Sequence, residues 1–211
     1  EVGAEGTIAL TPVDDPSRYG VVPTDEVGKV LGFVEKPPRG EAPTNWINAG
    51  TYVLEPSVLQ RIDSGRKVSI ERETFPAIVA DGGLWAVQSD AYWVDAGTPQ
   101  TYIDIQLDLI DGVRGSAHKG IADSAKVDAT ARVDHSVVMA GATVEAGAVV
   151  RDSVVSTGAR VATNAVVDGS IVGPGATVES SAKLTGLAML GDDALAPAGA
   201  LLDGVKIPES G

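Results

Sequence analysis

Three short stretches hold side chains whose types and spacing could do chemistry. FVEKPPRG (33–40) sets Glu35 and Lys36 side by side ahead of Pro37 and Pro38. NAGTYVLEP (48–56) opens on Asn48 and Gly50, and YWVDAGTP (92–99) carries Asp95 two residues after Trp93. Each stretch closes a β-like run, and ligand sites in α/β sheets gather at such strand ends. A Glu–Lys pair also serves simply to keep a strand end wet, since exposed pairs contribute little to stability. The pair taken alone leaves both readings open. The chain has no cysteine, which excludes disulfides, thiolate metal sites and a cysteine nucleophile. No Ser-His-Asp arrangement stands out either. The residues alone therefore support no covalent nucleophile at these stretches.

Bulk properties narrow the ligands. The 211 residues carry a net charge of −13. Residues 1–115 hold 9 basic and 18 acidic groups, and the remainder 7 and 11. Neither part is a general binder of nucleic acid or of anionic lipid. A phosphate ligand needs a local Lys, Arg, backbone nest or metal. No apolar run approaches the ~18 residues of a membrane span, so no membrane association is expected. The lack of cysteine fits a reducing compartment, and a cytoplasmic location is the expectation.

Texture changes near Gly115. The first part reads as α/β. TIALTPV (7–13), WINAGTYVLEP (46–56) and LWAVQ (84–88) read as strands. YGVVPTDEVGKVLGFVEKP (19–37) reads as two strands joined by a D-E-V-G turn, and YWVDAGTP as a strand end and turn. Pro56 is suited to open a short helix. Ser69 can cap IERETFPAIVADGG, with Glu71 and Glu73 in the first turn favoured by the helix dipole. Thr98 and Pro99 start a further helix, whose stripe of Tyr102, Ile103, Gln106, Leu107 and Ile110 is expected to meet a core.

The second part repeats every 17 residues. Val127, Val144, Val161, Val178 and Leu195 form one column; Val133, Val150, Val167, Leu184 and Leu201 a second; Val138, Val155, Val172 and Met189 a third. Steps of 6, 6 and 5 suit neither a helix nor an ordinary strand. They suit a coil with three short sides, one aliphatic per side pointing inward, which cannot bury its apolar residues without stacking on its neighbours. About five coils fit in 121–207. This is a parallel β-helix of hexapeptide repeats, and its left-handed sense follows from resemblance to hexapeptide-repeat proteins. Glu145, beside the inward Val144, is expected to face solvent.

The three stretches in this order, ahead of hexapeptide repeats, resemble the sugar-1-phosphate nucleotidylyltransferases, also called nucleotide-sugar pyrophosphorylases. Within that family the likeness is to bacterial mannose-1-phosphate guanylyltransferases with a C-terminal β-helix, supported by SIERETFPAIVADGGLWAV and the ending DGVKIP. The resemblance implies an α/β fold, the C-terminal part of a Rossmann-like nucleotidyltransferase domain over 1–115, then a left-handed parallel β-helix over 116–211. It implies that Gly20 lets the backbone approach a sugar, and that Glu35 and Asn48 bind sugar hydroxyls. Gly50 would leave room for the ring. Lys36 would meet the sugar phosphate and the charge building on the attacked phosphorus, and Asp95 would coordinate Mg²⁺ with Trp93 packed behind it. The substrates implied are a sugar 1-phosphate and a nucleoside triphosphate, most simply mannose 1-phosphate and GTP giving GDP-mannose. A homo-oligomer assembled through the β-helix is the expected state.

One departure from the family is large. Its glycine-rich G-x-G-T-R-type loop, the lysine motif that follows and the first metal-binding Asp are missing, and EVGAEG (1–6) replaces none of them. The chain is thus expected to be the sugar half of the catalytic domain plus the β-helix, inactive alone. Other readings are a regulatory or structural relative that binds nucleotide sugars, a glucose-1-phosphate thymidylyl- or uridylyltransferase, and a hexapeptide acyltransferase. The last would need a histidine base, and the only histidines are His118 and His135.

Overall fold

A computed structural model describes residues 3–208; Glu1 and Val2 of the EVGAEG stretch lie outside the described residues. The chain divides into two compact units, Glu1–Trp93 and Val94–Gly211.

The first unit is built on a mixed five-stranded sheet. Its strands are β1 (Gly6–Pro12), β2 (Gly20–Val21), β3 (Val34–Glu35), β4 (Trp46–Leu54) and β5 (Leu84–Gln88), in the order β3-β2-β4-β1-β5. Only the β1–β5 pair is parallel. Ile8, Leu10, Val22, Val30, Val58, Phe75, Ile78 and Leu84 form the core beside it. The expected hairpin over 19–37 forms only at its two ends. Asp25 closes the turn by accepting from Val27 and Lys29 N–H, and Gly28 takes the left-handed φ of 88° there. The limb that follows is drawn off to β5, with Ala86 N–H donating to Gly28 C=O and Val30 N–H to Leu84 C=O. YWVDAGTP forms no strand, contrary to expectation. Ser89 N–H still donates to Leu10 C=O, but the next parallel rung needs an N–H from Pro12, which has none.

After β4 a 3₁₀ turn (Pro56–Arg61) carries Arg61, which bonds both Glu5 oxygens at 2.8 and 2.6 Å and Asp81 at 2.8 Å. Ser69 caps the next element as expected, accepting from Arg72 N–H. Its first turn, Ile70–Thr74, is a π-turn that passes into α1 (Phe75–Ala80). Such wide turns are concentrated at functional sites.

The second unit is α2 (Pro99–Asp111) and a five-coil parallel β-solenoid. Thr98 and Thr101 make a reciprocal capping box on α2, and Gly112, at φ 77°, ends it. The solenoid has three faces of five parallel strands each. Val138, Val144, Val150, Val155, Val161, Val167, Val172, Val178 and Leu184 fill its interior with alanines at the corners. Ser136, Ser153 and Ser170 stack at one buried corner, each Oγ bonded to the carbonyl two residues back and, for the first two, accepting the next coil's serine N–H.

The register departs from a strict 17-residue period after Leu184. Val172 pairs with Leu190, Val178 with Ala196 and Leu184 with Leu202, a step of 18 residues. The three repeat columns therefore end on the wrong residues: Met189, Leu195 and Leu201 point outward. Leu195 and Leu201 are 49% and 69% exposed, whereas Ala196 is fully buried. Coil-to-coil hydrogen bonds fix each side's length, so the extra residue is absorbed at a corner, where Leu187 takes a left-handed φ of 66°. That conformation is costly for a bulky side chain. Leu187 packs instead against a cluster formed by Ile103 of α2 with Val154 and Ile171 of the solenoid's outer surface, joined by Tyr102, Leu107, Val137, Met139 and Met189. Thus the helix stripe meets a core, one made by outward solenoid side chains. Glu145 also differs from expectation: it is half-buried, accepts from Thr163 N–H and Oγ1 at 3.0 Å, and pairs with Arg160.

Two outcomes follow. Val161→Asp, which buries an unpaired carboxylate among aliphatics, should lower the melting temperature sharply, by several kcal/mol of stability, while Ala146→Lys at an exposed turn should leave it near wild type. Equal melting temperatures would refute the register. The second concerns His135, whose Nδ1 lies 2.6 Å from Asp152 and Nε2 3.1 Å from Asp111 at the end of α2. Hydrogen bonding to Asp152 and then to Asp111 raises its pKa. The folded state therefore holds the proton more tightly, and this stabilisation is complete below the unfolded pKa near ~6.5. It is lost as pH rises through the higher folded value. His135→Asn, which tolerates the left-handed φ of 38° there, should cost more stability at pH 6 than at pH 9. A cost independent of pH would show that the ring packs without carrying charge.

Candidate functional site

The site in the first unit starts from an interruption in the β1–β4 ladder. Ile8 pairs with Tyr52 and Leu10 with Asn48, so one residue of β1 faces three of β4. Gly50, exposed at φ 76°, makes the extra turn of chain possible. Asn48, only 8% exposed, holds it closed: its Oδ1 accepts from Gly50 N–H at 2.9 Å. Trp93 secures the other side by donating from Nε1 to Ala49 C=O at 3.1 Å, and it packs edge-on against Tyr19 with ring centroids 5.9 Å apart.

The Asn48 amide spends both of its donors inside the unit, one on Tyr52 Oη at 2.7 Å and one on Glu71 Oε1 at 2.9 Å. Burial raises the Tyr52 pKa. The Asn48 hydrogen bond opposes that shift, and the nearby Glu71 and then Glu35 carboxylates add to it. Tyr52 is fixed in turn by Phe75, edge-on at 5.0 Å, and Phe75 meets Phe33 at 5.8 Å.

Glu35 comes in from β3. It pairs across the sheet with Gly20, and Val21 pairs with Ile47, which brings Gly20, Glu35 and Asn48 onto three adjoining strands. The space above Gly20 is filled by this protein's own side chains. A Cβ there would sit 2.7 Å from the Phe33 ring and 3.2 Å from Glu35 Oε2. Glycine is therefore required for the packing that sets Phe33 and Glu35 in place.

Lys36 follows at the strand end. Its N–H donates to Tyr19 C=O at 3.0 Å, its side chain is exposed, and it has no hydrogen-bond or ion-pair partner among the described residues. Its φ of 50° is left-handed, which is strained for a lysine and unusual before a proline. Pro37 behind it is buried.

The structure thus gathers Gly20, Glu35, Lys36, Asn48 and Gly50 on adjoining strands of one unit. Asp95 belongs to the second unit. It is exposed, and its Oδ1 accepts from Gly97 N–H at 3.0 Å in a turn ahead of α2. Its other oxygen has no partner among the described residues, which also contain no cluster of three or more His, Cys, Asp or Glu able to hold a metal. Sequence reasoning missed Glu71 and Tyr52. Glu71 already had an explanation as a first-turn acid, and Tyr52 as a strand residue. His135 has both ring nitrogens engaged, so neither is open to act as a base for acyl transfer.

Comparison with known proteins bears on the same residues. Residues 1–112 match the family described as Nucleotidyl transferase. The chain belongs to that family. Residues 116–209 match the GMPPB C-terminal domain. A mannose-1-phosphate guanylyltransferase of Mycobacterium tuberculosis is 42% identical over 137 residues, covering 61% of this chain and 38% of that protein. A probable mannose-1-phosphate guanylyltransferase 1 of Oryza sativa subsp. japonica is 44% identical over 138 residues, 65% of this chain and 37% of its own length. Mannose-1-phosphate guanylyltransferase 1 of Arabidopsis thaliana is 40% identical over 138 residues, with the same coverage. The matched region spans about two fifths of these relatives. No helix among the described residues is long and apolar enough to cross a membrane.

The strained backbone at Lys36 makes a stability prediction separate from any ligand. Lys36→Gly should be more stable than Lys36→Ala by about 1 kcal/mol, reversing the usual order of these residues. Denaturant melts of the two variants decide it, and an alanine variant as stable as the glycine one would remove the strain.

Proposed function

We propose that this nucleotidyltransferase-family chain binds a sugar 1-phosphate for nucleotidyl transfer, with mannose 1-phosphate as the sugar, GTP as the donor and GDP-mannose and pyrophosphate as products. The observation that carries the reading is the pairing of acceptors and cation on adjoining strands. Glu35 and the Asn48–Glu71–Tyr52 group suit the hydroxyls of a sugar, and Lys36, beside them in sequence, is an unpaired cation at the strand end. A ligand with a hydroxyl-rich ring and one anionic group meets both demands.

In the proposed reaction an oxygen of the sugar phosphate forms a bond to the α-phosphorus of GTP. The bond to the bridging oxygen breaks, and pyrophosphate leaves with that electron pair. Both reactants are anions, so positive charge must offset their repulsion. Lys36 would lie against the sugar phosphate and stabilise the negative charge that grows on the attacked phosphorus. Such donors are worth more in the transition state than in the ground state. Glu35 and Asn48 would hold the ring so that its phosphate is aimed, which removes the entropic part of the barrier.

Mg²⁺ is expected by the same reading, and it supplies charge neutralisation on phosphate oxygens. It favours one or two carboxylates completed by phosphate and water. Asp95, exposed with one open oxygen, fits as a single such ligand.

Titration of this chain with mannose 1-phosphate tests the reading. Binding should weaken roughly 10–100-fold in Lys36→Ala, the range for a lost charge-assisted contact to phosphate, while the variant melts within ~1 kcal/mol of wild type because the side chain is exposed. Equal affinity in the two proteins would return Lys36 to a solvated surface charge.

A further inference from the structure

We infer that Glu71 is a positioning residue: through Asn48 it fixes which atoms the site offers to a sugar ring, and so sets which hydroxyls are accepted. The inference rests on the sugar-phosphate reading of the site and deepens it.

The argument is one of donors and acceptors. The two ends of an asparagine amide are close in shape, and their assignment follows from their partners. Gly50 N–H can only donate, so Oδ1 must face it, at 2.9 Å. An ionised Glu71 carboxylate can only accept, so Nδ2 must face it, also at 2.9 Å. The two partners come from different parts of the chain, one two residues away and one 23 residues away, and they demand the same orientation. The second Nδ2 hydrogen then lies on Tyr52 Oη at 2.7 Å.

Consequences pass outward from there. Tyr52 accepts from Asn48, so its own hydroxyl hydrogen is left to donate. Asn48 has no donor left and keeps one Oδ1 lone pair. The site therefore presents one phenolic donor among acceptors: Asn48 Oδ1, the remaining Glu71 oxygen and the Glu35 carboxylate. That inventory suits several ring hydroxyls that donate and one that accepts. Without the carboxylate of Glu71 the Asn48 amide keeps only Gly50 to orient it. An amide flipped against that single contact turns Oδ1 toward Tyr52, which then donates instead of accepting, and the inventory inverts. A buried site built for one pattern discriminates strongly against the other.

Glu71 is held for this role by the chain around it. Ser69 caps the turn, and the π-turn Ile70–Thr74 carries Glu71 at its start. Glu71 is half-buried, which a residue serving only the helix dipole does not require.

The test uses the intact chain with two readouts. In ¹⁵N-labelled protein the Asn48 side-chain amide resonances report the hydrogen bonds directly. Glu71→Ala should shift them, and Glu71→Gln, which keeps an acceptor oxygen, should bring them back toward wild type. Titration with mannose 1-phosphate and glucose 1-phosphate gives the second readout. Glu71→Ala should lose about tenfold in affinity for mannose 1-phosphate and narrow the gap between the two epimers, and Glu71→Gln should recover most of the loss. Melting curves establish that each variant folds. Asn48 signals unmoved in a folded Glu71→Ala would overturn the positioning role whatever binds. A wild-type chain that binds, together with a Glu71→Ala variant that binds and discriminates equally, would overturn this inference alone. A wild-type chain that binds neither sugar phosphate would remove the reading of the site and the inference with it.

Discussion

The first unit depends on how one buried asparagine amide is satisfied. Asn48 sits where the β1–β4 ladder is interrupted, and its three hydrogen bonds reach its own turn, its own strand and the π-turn ahead of α1. A buried amide without partners costs more than its hydrogen bonds return. The group must therefore be satisfied completely, and satisfying it fixes the loop at Gly50, the Tyr52 hydroxyl and the start of the helical segment together. The strands supply the frame, with Gly20 left bare so that Phe33 and Glu35 can lie over it. A substitution at any of these positions is felt as a change in the others, so single-site costs there will not add.

A different constraint governs the second unit. Each coil hands its backbone N–H groups to the next, so a side cannot gain a residue without breaking a ladder. The extra residue after Leu184 goes to a corner, and the corner must then hold Leu187 in a conformation that leucine resists. The burial of Leu187 and Met189 with Ile103 of α2 offsets that cost. The irregular coil and the docked helix are thus one feature: the slip turns Met189 outward, and α2 gives it an apolar surface to meet. Removing the helix stripe would leave an outward row of Val137, Val154, Ile171 and Met189 in water.

The extent to which this was legible in the sequence follows from the same details. The 17-residue columns are clear because each inward position is aliphatic while its corners are Ala, Gly or Ser. The slip is hidden because the residues around it come as apolar doublets. Met189 precedes Leu190 and Leu201 precedes Leu202, so a register wrong by one still lands on an apolar side chain. Leu195 and Ala196 hide it as well, since a small inward residue leaves no hydrophobic mark. In the first unit the candidates Glu35, Lys36, Asn48 and Gly50 could be picked out because they lie in short motifs; Glu35 and Lys36 do stand at a strand end, whereas Asn48 and Gly50 lie inside β4 at its interruption. Glu71 was not, because its position already had an explanation in helix capping and its partner is 23 residues away. The missing strand over 92–95 turns on Pro12, whose lost N–H matters only once β1 and β5 are known to be neighbours.

Lys36 shows how the two kinds of evidence join. Nothing in the fold needs its ammonium, which is exposed and unpaired, yet its backbone occupies a region that a glycine would fill without strain. On the proposed reading, the side chain of Lys36 is what repays a backbone conformation that glycine would adopt without strain. Strain of this kind persists when the surroundings over-determine the conformation, and here the N–H to Tyr19 and the buried Pro37 do so from either side. The rigid neighbours deny the lysine the freedom of an ordinary surface residue at the point where its chain begins. Less entropy then remains to be lost when its head meets an anion. The same logic runs through Asn48, whose orientation is settled before any ligand arrives. Both residues have their geometry arranged by the fold, which is what the proposed reaction by positioning and charge would require.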